Sequence, residues 1–205
     1  MSFMLALPKI SLHGAGAIGD MVNLVADKQW GKALIVTDGH LVEMGLLDSL
    51  FQALEAHQLS YHLFDNVFPN PTEALVQQGI AAFRAAQCDY IIAFGGGSPI
   101  DTAKAVKILS ANPAPSTAYS GVGKVKNAGV PLVAINTTAG TAAEMTSNAV
   151  IIDSERQVKE VIIDPNIIPD IAVDDASVML DIPPSVTAAT GMDALTHAIE
   201  AFVSV

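Results

Sequence analysis

Cysteine occurs once among the 205 residues, at Cys88, so no disulfide can form within the chain. Free thiols of this kind belong to a reducing compartment, and a cytoplasmic location is expected. Basic residues are scarce: ten Lys and Arg stand against 21 Asp and Glu, a formal net charge of −11. An acidic surface repels phosphate backbones, so nucleic acid is not an expected partner. No apolar run approaches the ~18 residues that span a bilayer, and no membrane partner is expected. Residues Met1 to Ile10 lack a basic stretch and reach Pro8 too early for a secretory signal. Internal repeats, low-complexity tracts and long blocks of like charge are also missing.

What the chain does have is apolar content. It is 51% apolar and 15% charged, which excludes a disordered chain and provides for one sizeable core. Short β-branched runs alternate with longer helical stretches. Ala33 to Thr37, Tyr61 to Phe64, Tyr90 to Phe94, Pro131 to Ile135 and Ile171 to Val173 read as strands. Ile10 to Leu12 is a weaker strand. Helices are expected over about 41–57, from a Thr72 cap to about Ala86, and from Ser98 through Leu109. Ala149 to Ile152 and Val158 to Ile163 read as a hairpin, and 113–129 as a surface loop. An N-terminal strand over Phe3 to Leu7 is a candidate for pairing between two subunits. The alternation predicts an α/β fold: a Rossmann-like parallel sheet with helices on both faces and ligands at the carboxyl ends of the strands. Residues 185–205 read as helix only, so a boundary near 180 is expected. Residues 1–180 would form the α/β domain and 181–205 the start of a helical one.

Polar and glycine clusters fall at those strand ends. Phe94-Gly95-Gly96-Gly97-Ser98-Pro99-Ile100-Asp101 joins a buried strand to a helix. Glycines let the backbone approach an anion, and the N–H groups of a helix start can point at phosphate. Ser98 stands at the expected N-cap, with Asp101 three residues on as a capping box. Gly14-Ala15-Gly16-Ala17-Ile18-Gly19 is a literal G-x-G-x-x-G, with Asp38 about 20 residues on. Its preceding strand is weak, and a glycine-rich helix entry is the better reading. Asp38 stays a ribose-binding candidate either way, and its charge favours NAD over NADP. Asn136-Thr137-Thr138-Ala139-Gly140-Thr141 ends another strand with three hydroxyls suited to a phosphate or an amide. On the last helix, Asp193 and His197 are four residues apart and share one face. A carboxylate and an imidazole can grip one divalent ion, or simply form a surface ion pair.

Taken together, Ala172-Val173-Asp174-Asp175, Pro183, and Ala188 through Glu200, with its Gly191-Met192-Asp193-Ala194-Leu195-Thr196-His197 core, resemble the signature of the iron-containing (group III) alcohol dehydrogenases. Gly95 to Asp101, Pro69-Asn70-Pro71-Thr72 and Asn136 to Thr141 are similar to further motifs of that family, in the same order. The resemblance implies reversible NAD-dependent oxidation of a short primary alcohol or diol to the aldehyde, with Fe2+ (or Zn2+) polarising the substrate oxygen. It also implies a homodimer. It implies that Asp38 holds the adenosine ribose, with Asn70 nearby, and that Gly96, Gly97, Ser98 and Asp101 line the pyrophosphate region. Thr137, Thr138, Thr141, Asn148 and Lys159 would contact phosphate, ribose or nicotinamide. Asp193 and His197 would be metal ligands. The family has two further histidine ligands downstream, whereas His13, His40, His57 and His62 all precede the glycine loop and match neither. The metal-binding helical domain is therefore expected to be truncated, and the chain alone inactive. An isolated nucleotide-binding module and a zinc-dependent glycerol dehydrogenase-like relative are the alternatives.

Overall fold

The computed structural model describes residues 5–204. Its centre is a six-stranded sheet built from β1 (Ile10–His13), β2 (Lys32–Val36), β3 (Ser60–Phe64), β4 (Tyr90–Gly95), β6 (Leu132–Asn136) and β9 (Ile171–Asp174). The spatial order is β1-β9-β6-β4-β2-β3, and every neighbouring pair is parallel. A parallel sheet needs cover on both faces, because each crossover lays a helix over one of them. The side chains show this by alternation. Leu34, Val36, Ile91, Ala93, Leu132 and Ala134 enter one core, with α4 (Glu73–Ala85) and α5 (Gly97–Ala111) above it. Ala33, Ile35, Ile92, Phe94, Val133 and Ile135 enter the other, under α1 (Ala17–Asp27) and α3 (Asp48–Ala56). The expected α/β architecture, Rossmann-like with helices on both faces, is present.

Strand order places the ligand side. The chain runs from β2 outward to β3, then crosses back so that β4 lies on the other flank of β2. Connections leaving β2 and β4 diverge there and open a crevice at their carboxyl ends. Asp38 follows β2 and Gly96 follows β4.

Several local expectations need correction. The helix expected over 41–57 is two helices, α2 (Gly39–Glu43) and α3. Gly45 adopts φ +73° and turns the chain between them, with Leu46 N donating to Leu41 O. The capping box at Ser98 does not form. Helix α5 begins at Gly97 with Gly96 as its N-cap and no side-chain cap, so Ser98 is already inside the first turn. Asp101 instead accepts a hydrogen bond from Val150 N at 3.0 Å. The loop over 113–129 contains a short 3₁₀ turn (Ser116–Tyr119) and β5 (Gly121–Val122). That two-residue strand pairs with β8 (Val158–Ile163), which forms the expected antiparallel hairpin with β7 (Asn148–Asp153). Together they make a separate three-stranded sheet. Of the proposed N-terminal strand, Phe3 and Met4 lie outside the described residues, and Leu5 to Leu7 are not in a strand.

Helix α6 (Pro184–Val203) buries none of its residues. It meets the rest of the chain at Gly140, where an added Cβ would stand 2.9 Å from Thr190. Among the described residues no helix is long and apolar enough to cross a membrane.

Candidate active-site cleft

The crevice at the β2 and β4 ends holds a cavity of about 480 Å³. Asp38, Gly96, Thr137 and Thr138 line it, together with Leu41, Met44, Val67 and Phe68. Asp38 caps α2, one carboxylate oxygen accepting from Leu41 N at 3.0 Å. Its other oxygen makes no hydrogen bond among the described residues. Thr137 is drawn in by its backbone N–H, which donates to Gly95 O at 3.1 Å. Thr138 N donates to the side chain of Asn136 at 3.0 Å. The β4–α5 turn and the β6 loop touch closely: a Cβ on Gly96 would sit 2.9 Å from the Thr138 side chain. Gly95 has φ +143°, and a Cβ there would strike Pro99 at 2.6 Å. Neither position has room for a side chain. The first N–H groups of a helix have no intrahelical acceptor, and no side chain supplies one at α5.

Beyond the start of α5 the crevice divides into two adjoining cavities. One, about 420 Å³, is lined by Asn70, Gly97, Ser98, Asp101, Thr141, Lys159 and Asp193. The other, about 480 Å³, shares Gly97, Asp101 and Thr141 and adds Asn148 and His197. Asn70 takes a left-handed φ of +60°, a conformation asparagine tolerates. The next residue, Pro71, accepts from Ile152 N at 2.8 Å, and Ile152 is the register partner of Lys159. The hairpin thus brings Lys159 opposite Asn70. Every residue singled out from the sequence for cofactor or metal binding lines one of these three cavities.

The G-x-G-x-x-G segment lies elsewhere. The start of α1 is already filled by a carboxylate: Asp175 accepts from Gly16 N at 3.0 Å and from Ile18 N at 3.3 Å. Burial raises the Asp175 pKa, but donors from Ser177, Ile18 and Gly16 outweigh it and hold the group below its usual value. The helix-entry reading of those glycines stands. Asp175 belongs to the Ala172-Val173-Asp174-Asp175 motif, but its capping of α1 escaped sequence reasoning, for nothing in the sequence pairs positions 159 residues apart.

Asp193 Oδ2 and His197 Nε2 are 3.7 Å apart on α6, both partly exposed. Two donors at this separation, on adjoining cavities, suit one small divalent cation. Among the described residues no group of three or more His, Cys, Asp or Glu could hold a metal. The pair alone is fewer donors than a closed metal site requires.

Asp101 and Lys104 form the underside of the cleft. Burial pushes the Asp101 pKa up to about 6, with the Lys104 charge and Val150 N–H opposing. Burial also pulls Lys104 down to about 8, opposed by Asp101 and Glu144. Lys104, fully buried, was not visible as a site residue from sequence. Its only signal was a lysine set between the apolar residues Ala103, Ala105 and Val106, three residues after Asp101.

Comparison with known proteins bears on the family and the fold. The family model described as iron-containing alcohol dehydrogenase matches residues 8–176. The chain is 43% identical to lactaldehyde reductase of Escherichia coli (strain K12) over 206 residues, covering 100% of this chain and 54% of that protein. It is 41% identical to the NAD-dependent methanol dehydrogenase of Bacillus methanolicus, covering 97% and 52%. The solved alcohol dehydrogenase from Oenococcus oeni superposes with a TM-score of 0.96 at 34% identity, covering 100% of this chain and 54% of that one. The chain thus spans about half the length of the curated relatives it matches. With a matching family model over most of its length, a matching fold and the motifs gathered in one cleft, the chain belongs to the iron-containing alcohol dehydrogenase family.

Proposed function

We propose that the chain forms the nucleotide-binding half and part of the metal site of an oxidoreductase. That enzyme would interconvert a short primary alcohol or diol and its aldehyde with NAD. The observation that carries this reading is the order of groups along one crevice: a ribose-type carboxylate, an open helix start, then an Asp/His pair. Asp38 accepts from the adenosine ribose hydroxyls, and the apolar wall of Leu41, Met44, Val67 and Phe68 takes the adenine. The N–H groups of Gly96, Gly97 and Ser98 hold the pyrophosphate, aided by the helix dipole. Thr137 and Thr138 contact the phosphate and ribose on the Asp38 side, and Thr141, Asn148, Asn70 and Lys159 orient the ribose and nicotinamide beyond it. Asp193 and His197 are two ligands of Fe2+, which the family match favours over Zn2+. When bound, NAD supplies the hydride carrier and Fe2+ the Lewis acid at the substrate oxygen.

In this reading residues 1–180 are the nucleotide-binding domain and 181–205 open the helical catalytic domain. Two donors leave a metal weakly held, so residues 1–205 by themselves bind NAD and do not turn over. Homodimerisation and a cytoplasmic location belong to the same proposal and rest on the family alone. The test uses the intact polypeptide, reconstituted with Fe2+. NADH formation from ethanol or a propanediol is expected, and its absence with both would overturn the reading. Measurable turnover by residues 1–205 alone would overturn the division of labour.

A further inference from the structure

Helix α5 is buried nearly all round, between the main sheet and the three-stranded one. A charged side chain inside such a helix needs compensation. Lys104 finds it in the backbone. Its Nζ donates to Ala143 O at 2.7 Å, Thr146 O at 2.8 Å and Asn148 O at 2.7 Å, with Thr146 Oγ1 at 3.1 Å. No carboxylate lies within ion-pair distance of it among the described residues. Three carbonyls from six consecutive residues thus converge on one ammonium, as they would around a bound cation.

The outer surface of the same segment lines the cleft. Thr141, Ala142, Ala143, Thr146 and Asn148 face the cavity that also receives His197. Asn148 is gripped from behind through its carbonyl while its residue borders the cavity. Ala142 is held at φ +49°, a conformation alanine rarely adopts and keeps only where its surroundings enforce it. One turn earlier on α5, Asp101 fixes the end of the segment through Val150 N.

We infer that Lys104 is a positioning residue: its ammonium gathers the 143–148 backbone and so sets the cleft wall at the nicotinamide end. This rests on the NAD reading above. Lys104 lies behind the wall and bears on the nicotinamide half alone, whereas Asp38 and the α5 start would hold the ADP-ribose half.

The test compares NADH and ADP-ribose binding by the intact protein and its Lys104→Met variant, with circular dichroism as the check on folding. NADH affinity is expected to fall about tenfold or more and ADP-ribose affinity by less than about threefold. Equal losses for both ligands, as from a general loosening, would overturn the inference, and so would no loss for either. Failure of the unaltered protein to bind NADH would instead strike the NAD reading and take this inference with it. Should Lys104→Met not fold, Thr146→Val, which removes the hydroxyl that accepts from Lys104 Nζ at 3.1 Å and donates to Ala143 O at 3.3 Å, decides the matter. A rise of about threefold in the NADH dissociation constant with ADP-ribose unchanged supports the inference, and an unchanged NADH constant contradicts it.

Discussion

Asp38 does two jobs that a substitution can separate. One oxygen caps α2 through Leu41 N, and the residue lines the cleft. Asp38→Ser keeps a capping oxygen and removes the charge. Stability should change by less than about 1 kcal/mol, while the preference for NADH over NADPH should fall about tenfold as repulsion of a 2′-phosphate disappears. Competitive binding of the two reduced cofactors measures this. Asp101 offers a pH test. Its folded pKa of about 6 lies above its unfolded value near 3.8, so the folded state holds the extra proton between them. Stability contributed by this group is therefore present at low pH and lost as pH rises through that window. Asp101→Asn keeps an acceptor for Val150 N and cannot ionise. Its stability relative to the unaltered protein should rise from pH 4 to pH 6 and then level off, as followed by urea unfolding. A flat difference would refute the burial argument.

At the scale of elements, two helix starts of similar sequence have opposite fates. The start of α1 is filled by the Asp175 carboxylate, whereas that of α5 has no side-chain cap. Asp175→Ala should cost about 2 kcal/mol or more by stranding the N–H groups of Gly16, Ile18 and Ser177, with NADH affinity unchanged. Urea melts and a binding titration check both halves of that statement. The sequence made the parallel strands plain, because β2, β4 and β6 are buried on both faces and so are nearly all apolar. It also made plain the Thr72 cap, which accepts from Leu75 N at 3.3 Å. The break at Gly45 was not legible, since the apolar spacing of Leu46, Leu47, Leu50 and Leu54 runs straight on from it. Nor was the bare start of α5, since Ser98 and Asp101 have the spacing of a capping box and only tertiary contacts decide otherwise. Strand β5 is too short for any periodic signal.

On the scale of the whole molecule, α5 and α6 contrast most. The first is buried along its length; the second buries nothing, with Met192, Leu195, Ile199 and Phe202 all more than half exposed. Asp193 and His197 reach the cleft from that second helix. Asp38, Gly96, Gly97, Thr137 and Thr138 were legible because they follow strands β2, β4 and β6, and a parallel sheet brings such ends together, whereas Asn148 and Lys159, on the antiparallel hairpin, were suggested only by the family resemblance. Lys104 was not legible, because its partners are main-chain carbonyls that leave no mark in a sequence. The central claim is that NAD lies across the β4–α5 turn, and calorimetric titration of NADH into the intact protein and its Gly96→Ala variant tests it most directly. The added methyl would meet Thr138 at 2.9 Å and press the β6 loop away from the turn. The account predicts NADH binding by the unaltered protein and a loss of about tenfold or more in the folded variant. Equal affinities for the two proteins would contradict it.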